Sequence, residues 1–154
     1  MKKFHFTLDK MLRYKDSILE EEKNRLMQIR AEKNAVDTRI EKAEADLVQL
    51  DQERCERASQ GISVFELRTY AYHIENTNRH IKALTEEQEK LEKQIAKQLA
   101  VVIERTQEVS GLEKLRDKQR EEYNQTVMKE EQENIMEMVT SKYIREEAPE
   151  EAAS

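Results

Sequence analysis

A seven-residue repeat of apolar side chains organises the first half of the chain. Alternating steps of four and three residues from Leu8 to Arg57 define fifteen positions, and ten of them are apolar. A 3.5-residue period sustained in this way is typical of a coiled-coil seam. The residues between these positions are mostly charged or carry amides, which suits a solvated face. This half therefore predicts a long helix that buries one edge against another helix.

A second repeat of the same kind runs from Leu67 to Leu112. Ten of its fourteen positions are apolar or Tyr. Extending the first repeat by its own rhythm gives Gly61, Val64 and Arg68, which is one residue out of step with the second. The phase of the pattern thus changes between the two halves.

The segment that separates the repeats, "RASQGISVFE" (57–66), carries the signals of a turn. Gly61 can adopt the left-handed conformation that ends a helix. Ser63 and Glu66 have the spacing of a capping box, in which the hydroxyl accepts from the backbone N–H of Glu66 and the carboxylate reaches back. Together with the phase change, these signals favour a turn over one continuous helix.

The predicted fold is all-α, an antiparallel two-helix coiled-coil hairpin with a longer second helix. As a single domain over residues 1–154, it has helix 1 over about 7–58, a turn over about 59–63, and helix 2 over about 64–146. The last residues, 147–154, contain the only proline, Pro149, and are predicted to be disordered.

Folding about residue 62 pairs seam residues whose numbers add up to 124. Leu50 then meets Ile74, and the polar seam residue Lys33 faces the apolar Leu91. No buried polar pair is forced on the seam. Registers shifted by a full heptad match in phase as well, so the pattern leaves the alignment open.

In this register Leu8 lies opposite Arg116, which leaves about thirty residues of helix 2 without a partner. The overhang is highly charged but has apolar residues near helical spacing: Tyr123, Val127, Ile135, Met138 and Val139. A lone helix has little to bury them against. They indicate either a contact with another protein or a frayed, exposed tail.

The composition argues against several functions. A net charge of -6 gives no general reason to bind nucleic acid. The longest apolar run, Leu99 to Ile103, is far too short to insert into a membrane, and no signal peptide is visible. We therefore expect a soluble, non-secreted protein. Cys55 is the single cysteine, interpreted as a structural thiol near the turn.

No pattern for catalysis, cofactor binding or metal binding is present. His73 and His80 are seven residues apart, too far for the ligation that an i, i+4 pair allows. We therefore predict a protein that is not an enzyme and that acts by helix-surface recognition. The candidate contact residues are apolar and lie outside the seams, near the start and near the turn: Phe4, Phe6, Met11, Ile18, Phe65 and Tyr72.

Two segments carry a family resemblance. "FHFTLDKMLRYKDSILEEEKNRL" resembles the opening of FliJ proteins of the flagellar type III export apparatus, and "LEKLRDKQREEYNQTVMKEEQENIMEMV" is similar to their C-terminal region. The Phe-x-Phe-x-Leu start and the Leu-Glu-Lys-Leu block are its most specific elements, and the likeness spans nearly the whole chain.

The resemblance implies a stalk-like coiled coil, similar to the central subunit of rotary ATPases, in the pore of the export ATPase ring FliI, which acts with FliH. It also implies binding to the export gate FlhA, handling of flagellar export chaperones, and a cytoplasmic location at the membrane beneath the flagellum. By position, the family's ring contacts fall on Phe4, Phe6, Leu8, Met11, Leu12, Leu112, Leu115, Tyr123, Ile135, Met138 and Val139.

The gate contact carries over weakly, to Tyr70, Tyr72, His73 and Thr77, because His and Thr stand where bulkier apolar residues are common in the family. Tyr70 and Thr77 also have an alternative interpretation as seam residues. Two other functions remain open at this point: the equivalent stalk of a virulence secretion system, and a general coiled-coil chaperone or scaffold without an ATPase partner.

Overall fold

Two helices account for most of the chain in the computed structural model, which describes residues 3–153, with side chains described as far as residue 147. Helix α1 spans Asp9–Gln60 and helix α2 spans Val64–Ala153. The two helices pack together, α2 is the longer, and no strand occurs among the described residues. The predicted all-α hairpin is therefore confirmed. Its helices consist largely of Glu, Lys, Gln, Leu and Arg, which lose little rotamer freedom in a helix.

The ends of the helices differ slightly from the predicted ones. Helix α1 begins at Asp9 rather than about residue 7, and it ends at Gln60 rather than about 58. Helix α2 continues to Ala153, beyond the predicted end near residue 146. Glu and Ala dominate this last stretch and both favour a helix. Ser154, the final residue of the predicted disordered tail, lies outside the described residues.

The chain divides into two compact units. One contains the residues up to Asp16 together with those from Gln107 onward, and the other runs from Ser17 to Thr106. In the second unit, Val36, Leu84 and Leu91 form one buried cluster of the core. Val36 has the least exposed side chain of this cluster, at 2%. All three belong to the predicted seams.

Polar contacts across the two helices show how they are aligned. In the second unit, Gln88 Nε2 donates to Asp37 Oδ1, and Lys33 Nζ lies 3.9 Å from Glu92 Oε1. In the other unit, Lys15 Nζ lies 3.1 Å from Glu108 Oε2. The two residue numbers in each pair sum to 123 or 125, within one of the predicted sum of 124. The structure therefore adopts the register obtained by folding about residue 62.

One polar seam residue is bonded to the backbone of the opposite helix. Gln98 Nε2 donates to the Glu22 carbonyl oxygen at 3.0 Å and also to the Glu22 carboxylate. A helix carbonyl points toward the C-terminal end of its helix, so the Glu22 oxygen reaches toward the level of Leu26, the predicted partner of Gln98. Both donor hydrogens of this half-buried amide are thereby used.

The turn follows the predicted chemistry in part. Gly61 has a φ of 88°, in the left-handed region, and its N–H donates to the Ala58 carbonyl oxygen at 3.3 Å. Ser63 Oγ accepts from the N–H of Glu66 at 3.1 Å, as expected for a helix cap. The Glu66 carboxylate, however, does not complete the capping box. It accepts from Arg57 Nη2 at 3.2 Å, and this hydrogen bond raises the pKa of Arg57.

Candidate interaction surfaces

The residues before α1 form a segment that packs on α2, and we call residues 3–8 the strap. Phe6 is buried, with 5% of its surface exposed. The ring of Phe4 lies 5.7 Å from that of Tyr123, centroid to centroid, and the Arg120 guanidinium carbon lies 5.5 Å from the Phe4 centroid. Distances of this size are typical of aromatic and cation–π contacts. The strap therefore covers part of α2 that the sequence leaves without a partner.

The strap shortens the predicted overhang. An extended chain advances about 3.3 Å per residue, whereas a helix advances about 1.5 Å. A few non-helical residues can therefore run beside a much longer piece of α2, and Tyr123 and Val127 are half-buried as a result of the packing in this unit. The expectation that helix 2 has no partner beyond Arg116 was therefore wrong for the stretch up to Val127.

Beyond Val127 the described side chains of α2 are all exposed, and several of them are apolar. We call this set the tail surface: Met128, Ile135, Met136, Met138, Val139, Tyr143 and Ile144. Met138 is the most exposed of them, at 73%. Ile135, Met138 and Val139 were singled out from the sequence. Met128, Met136, Tyr143 and Ile144 were missed, although Met128 stands one heptad before Ile135 and could have been found from that spacing.

The residues predicted to contact the ATPase ring fall into two groups. Phe6 and Leu12 are buried, and Phe4, Leu8, Leu112 and Tyr123 are half-buried within the hairpin. Phe6 was also predicted to be a surface contact residue outside the seams, and the structure corrects this because the strap carries its side chain into the core. The others are exposed: Met11, Leu115 and, on the tail surface, Ile135, Met138 and Val139. The assignment of all of them to the ring stays a prediction.

A second exposed apolar group lies beside the turn, and we call it the tip surface: Val64, Phe65, Leu67 and Tyr72. Phe65 is 79% exposed and stands one heptad before Tyr72, on the same side of α2. A groove of about 490 Å³ adjoins it, lined in part by Leu50, Phe65, Tyr70 and His73. The groove is framed by the Arg57–Glu66 ion pair at the turn.

The four residues predicted to contact the export gate are separated by the geometry. Tyr70 and Thr77 are half-buried in the seam, and the Thr77 hydroxyl donates to the His73 carbonyl oxygen at 2.8 Å. Tyr72 and His73 are exposed, with their ring centroids 6.0 Å apart. Tyr72 and His73 are therefore the two of the four that offer most surface to another protein.

The structure also shows the position of the single cysteine and the polarity of the two helices. Cys55 is a free, exposed thiol on α1, in the last two turns of the helix before Gly61. Within the described residues, neither helix contains a window apolar enough to cross a membrane.

These features define an antiparallel coiled-coil hairpin with exposed apolar residues at its turn and along the end of α2. The family model described as flagellar FliJ protein matches residues 4–148. This covers nearly the whole chain, and the chain belongs to the FliJ family. It is therefore a component of the flagellar export apparatus. Neither a curated protein nor a solved structure matches it.

Proposed function

We propose that the protein is a non-catalytic, stalk-like subunit of the flagellar export ATPase, binding the ring of FliI through the end of α2. The observation that carries the proposal is the tail surface, where Ile135, Met138 and Val139 lie on a stretch of α2 that no described residue of its unit covers. Exposed apolar groups of this kind on a helix are typical of a helix-in-groove contact. The family membership supplies the class of apparatus.

The strap supports the same assignment. The family resemblance places Phe4 and Phe6 at the start of the chain that would face the ring. Phe4 contacts Tyr123 and Arg120 of α2, and Phe6 is buried. This packing anchors the base of the exposed stretch, so the ring would receive a helix that is fixed at one end. Met11 and Leu115, which are exposed in the same unit, would extend the contact beside the strap.

Such a stalk would act by giving the FliI subunits of the ring different contacts. A single helical hairpin has no rotational symmetry, so subunits of a ring around it cannot all make the same contacts. Coupling requires that the hairpin bind some conformations of the ATPase more tightly than others. We propose that this difference promotes ring assembly and links ATP hydrolysis to export, with FliH bound to the ATPase.

A second contact, with the export gate FlhA, is proposed for the tip surface. Phe65, Tyr72 and His73 offer aromatic area beside a groove, and aromatic residues are enriched at protein interfaces. This contact would bring the protein to the cytoplasmic side of the membrane at the flagellar base. Handling of export chaperones is a further proposal that rests on the family alone.

ATP hydrolysis by purified FliI, measured with and without the protein, tests the ring proposal. We expect faster hydrolysis and a larger fraction of assembled FliI when the protein is added. A triple variant, Ile135→Ser, Met138→Ser and Val139→Ser, should lose both effects. The matched control replaces Glu133, Glu137 and Thr140 by Ser in the same stretch of helix and should keep them.

An unchanged rate and an unchanged assembly state of FliI would contradict the ring proposal. For the gate, a pull-down with the cytoplasmic part of FlhA should weaken in Phe65→Ser and Tyr72→Ser, whereas Met27→Ser, which changes an exposed apolar residue away from the turn, should bind normally. Equal binding of all three variants would exclude the tip surface as the gate contact.

A further inference from the structure

The tail surface contains a heptad repeat of its own. Steps of three and four residues from Met128 lead to Glu131, Ile135, Met138, Lys142 and Arg145, and all six side chains are exposed. Tyr123 and Val127, which are half-buried, do not belong to this series. The repeat is therefore a separate edge of α2 and not a continuation of the seam that packs in the hairpin.

We propose that this edge pairs in antiparallel fashion with the same edge of a second copy of the chain. In an antiparallel coiled coil the two kinds of seam position face one another. Here the residue numbers of each facing pair sum to 273. Ile135 of one copy meets Met138 of the other, and Glu131 meets Lys142. A two-fold axis repeats each pair, so one interface has two apolar layers at its centre and two ion pairs beside them.

The outer layers are compatible with this arrangement. Met128 faces Arg145, whose aliphatic stem can lie against it while the guanidinium reaches water. The polar flanks, with Asn134 near Ser141, hold no pair of like charges. Val139 lies next to the central layers and would add apolar area to them.

Charge complementarity selects this alignment over others. A parallel, in-register pair would place Glu131 against Glu131 and Lys142 against Lys142, which is unfavourable in a seam. If the two antiparallel helices slide by one heptad in one direction, Glu131 faces the apolar Ile135. If they slide by one heptad in the other direction, Lys142 faces the apolar Met138. The alignment at 273 gives both charged groups partners of opposite charge and both central apolar residues apolar partners.

The interface has consequences for concentration and for competition. Only about five turns of helix take part in it, so the pairing is weak and depends on protein concentration. It also covers Ile135, Met138 and Val139, so a chain paired in this way cannot present these residues to the ATPase. The self-association itself does not depend on the proposed ring contact.

Sedimentation velocity of the full-length protein over a range of concentrations tests the pairing. We expect a monomer–dimer equilibrium that Lys142→Glu weakens about ten-fold or more, because two ion pairs become two repulsive pairs. Glu131→Lys should act in the same way. The double exchange, Glu131→Lys with Lys142→Glu, should restore dimerisation, since it recreates both ion pairs in reverse.

Lys129→Glu is the matched control, since it makes the same charge change on an exposed position outside the repeat and should leave the dimer intact. A protein that stays monomeric at all concentrations would overturn the proposal. So would a dimer that Lys142→Glu leaves unchanged, or a double exchange that fails to restore it.

Disulfide trapping locates the interface directly. In a Cys55→Ala background, Ile135→Cys mixed with Met138→Cys should form a mixed disulfide dimer, because facing seam positions come within the Cα separation that a disulfide needs. The control mixes Glu133→Cys with Thr140→Cys. These two positions lie at matching heights along the paired helices but on their outer faces, so they should not cross-link above background. Equal cross-linking of both pairs would contradict the proposal. Binding to FliI, measured at concentrations where the protein is monomeric, reports on the ring contact without the pairing, so each proposal can fail without the other.

Discussion

The ring of Phe4 packs on the ring of Tyr123, with centroids 5.7 Å apart and planes inclined at 50°. This contact joins the non-helical start of the chain to a part of α2 that has no residue of α1 opposite it. Arg120 adds a cation above the same Phe4 ring. The strap is thus an ordered part of the hairpin, and its attachment determines how much of α2 remains exposed.

Replacing Phe6 should release the strap. Phe6→Ala removes a side chain that is 5% exposed, and a buried Phe→Ala change typically costs about 3 kcal/mol. We expect faster hydrogen exchange of α2 amides around Arg116 to Val127 and easier proteolysis within the strap. Met11→Ala, at a residue that is 48% exposed, is the control and should change neither. Equal protection in both variants would mean that the strap does not hold this part of α2.

The two glycines should respond to alanine in opposite directions. Gly61 has a φ of 88°, so Gly61→Ala should lower the free energy of unfolding by about 1 kcal/mol. Gly111 lies inside α2, and a methyl group added there meets no atom within 4 Å. Gly111→Ala should therefore raise the free energy of unfolding by about 1 kcal/mol. Urea unfolding followed by circular dichroism measures both, and shifts of the same sign would contradict the prediction.

Gln98 should stabilise the hairpin through its two bonds to Glu22. Gln98→Ala removes the donor to the Glu22 carbonyl oxygen and to the half-buried carboxylate. We expect a loss of about 1–2 kcal/mol in the free energy of unfolding. Gln94→Ala makes the same substitution one turn earlier at an exposed position and should cost little. If urea unfolding gives the two variants equal midpoints, the cross-helix bonds contribute nothing.

The layer of Val36, Leu84 and Leu91 should be the most sensitive part of the seam in its unit. Leu84→Ala should lower the free energy of unfolding by about 2–4 kcal/mol, because it removes a buried side chain and leaves a cavity. Leu99→Ala, on the same helix but at a residue that is 38% exposed, is the matched control and should cost less. Thermal unfolding compares them, and a larger effect at Leu99 would show that the core lies elsewhere.

Most of the seam could be predicted because it follows a period. Leu12, Leu19, Leu26, Val36 and Ala43 were placed on the first repeat, and all are buried. The repeat fails only beside the turn, where Arg57 and Leu67 are exposed. No further layer packs beyond them, since residues 61–63 must cross from one helix to the other.

The exposed apolar residues were predicted less completely. Ile135 and Met138 were found because they lack a seam partner, whereas Phe6 was placed on the surface and lies in the core. A non-helical strap has no period of its own, so its sequence does not say which side chains turn inward. The Glu66 carboxylate was likewise assigned to the backbone of the cap, but Arg57 lies close enough across the turn to bind it.

The sequence by itself determined the helices, the turn at Gly61 and the existence of a seam, because helix propensity, capping and heptad spacing are local properties of the chain. It left the register open among heptad-shifted alternatives. Only the tertiary structure decided that register, which is marked by pairs such as Lys15 with Glu108, and it decided the burial of Phe6 through the strap. Both depend on groups far apart in the chain coming within a few ångströms, which no local pattern encodes.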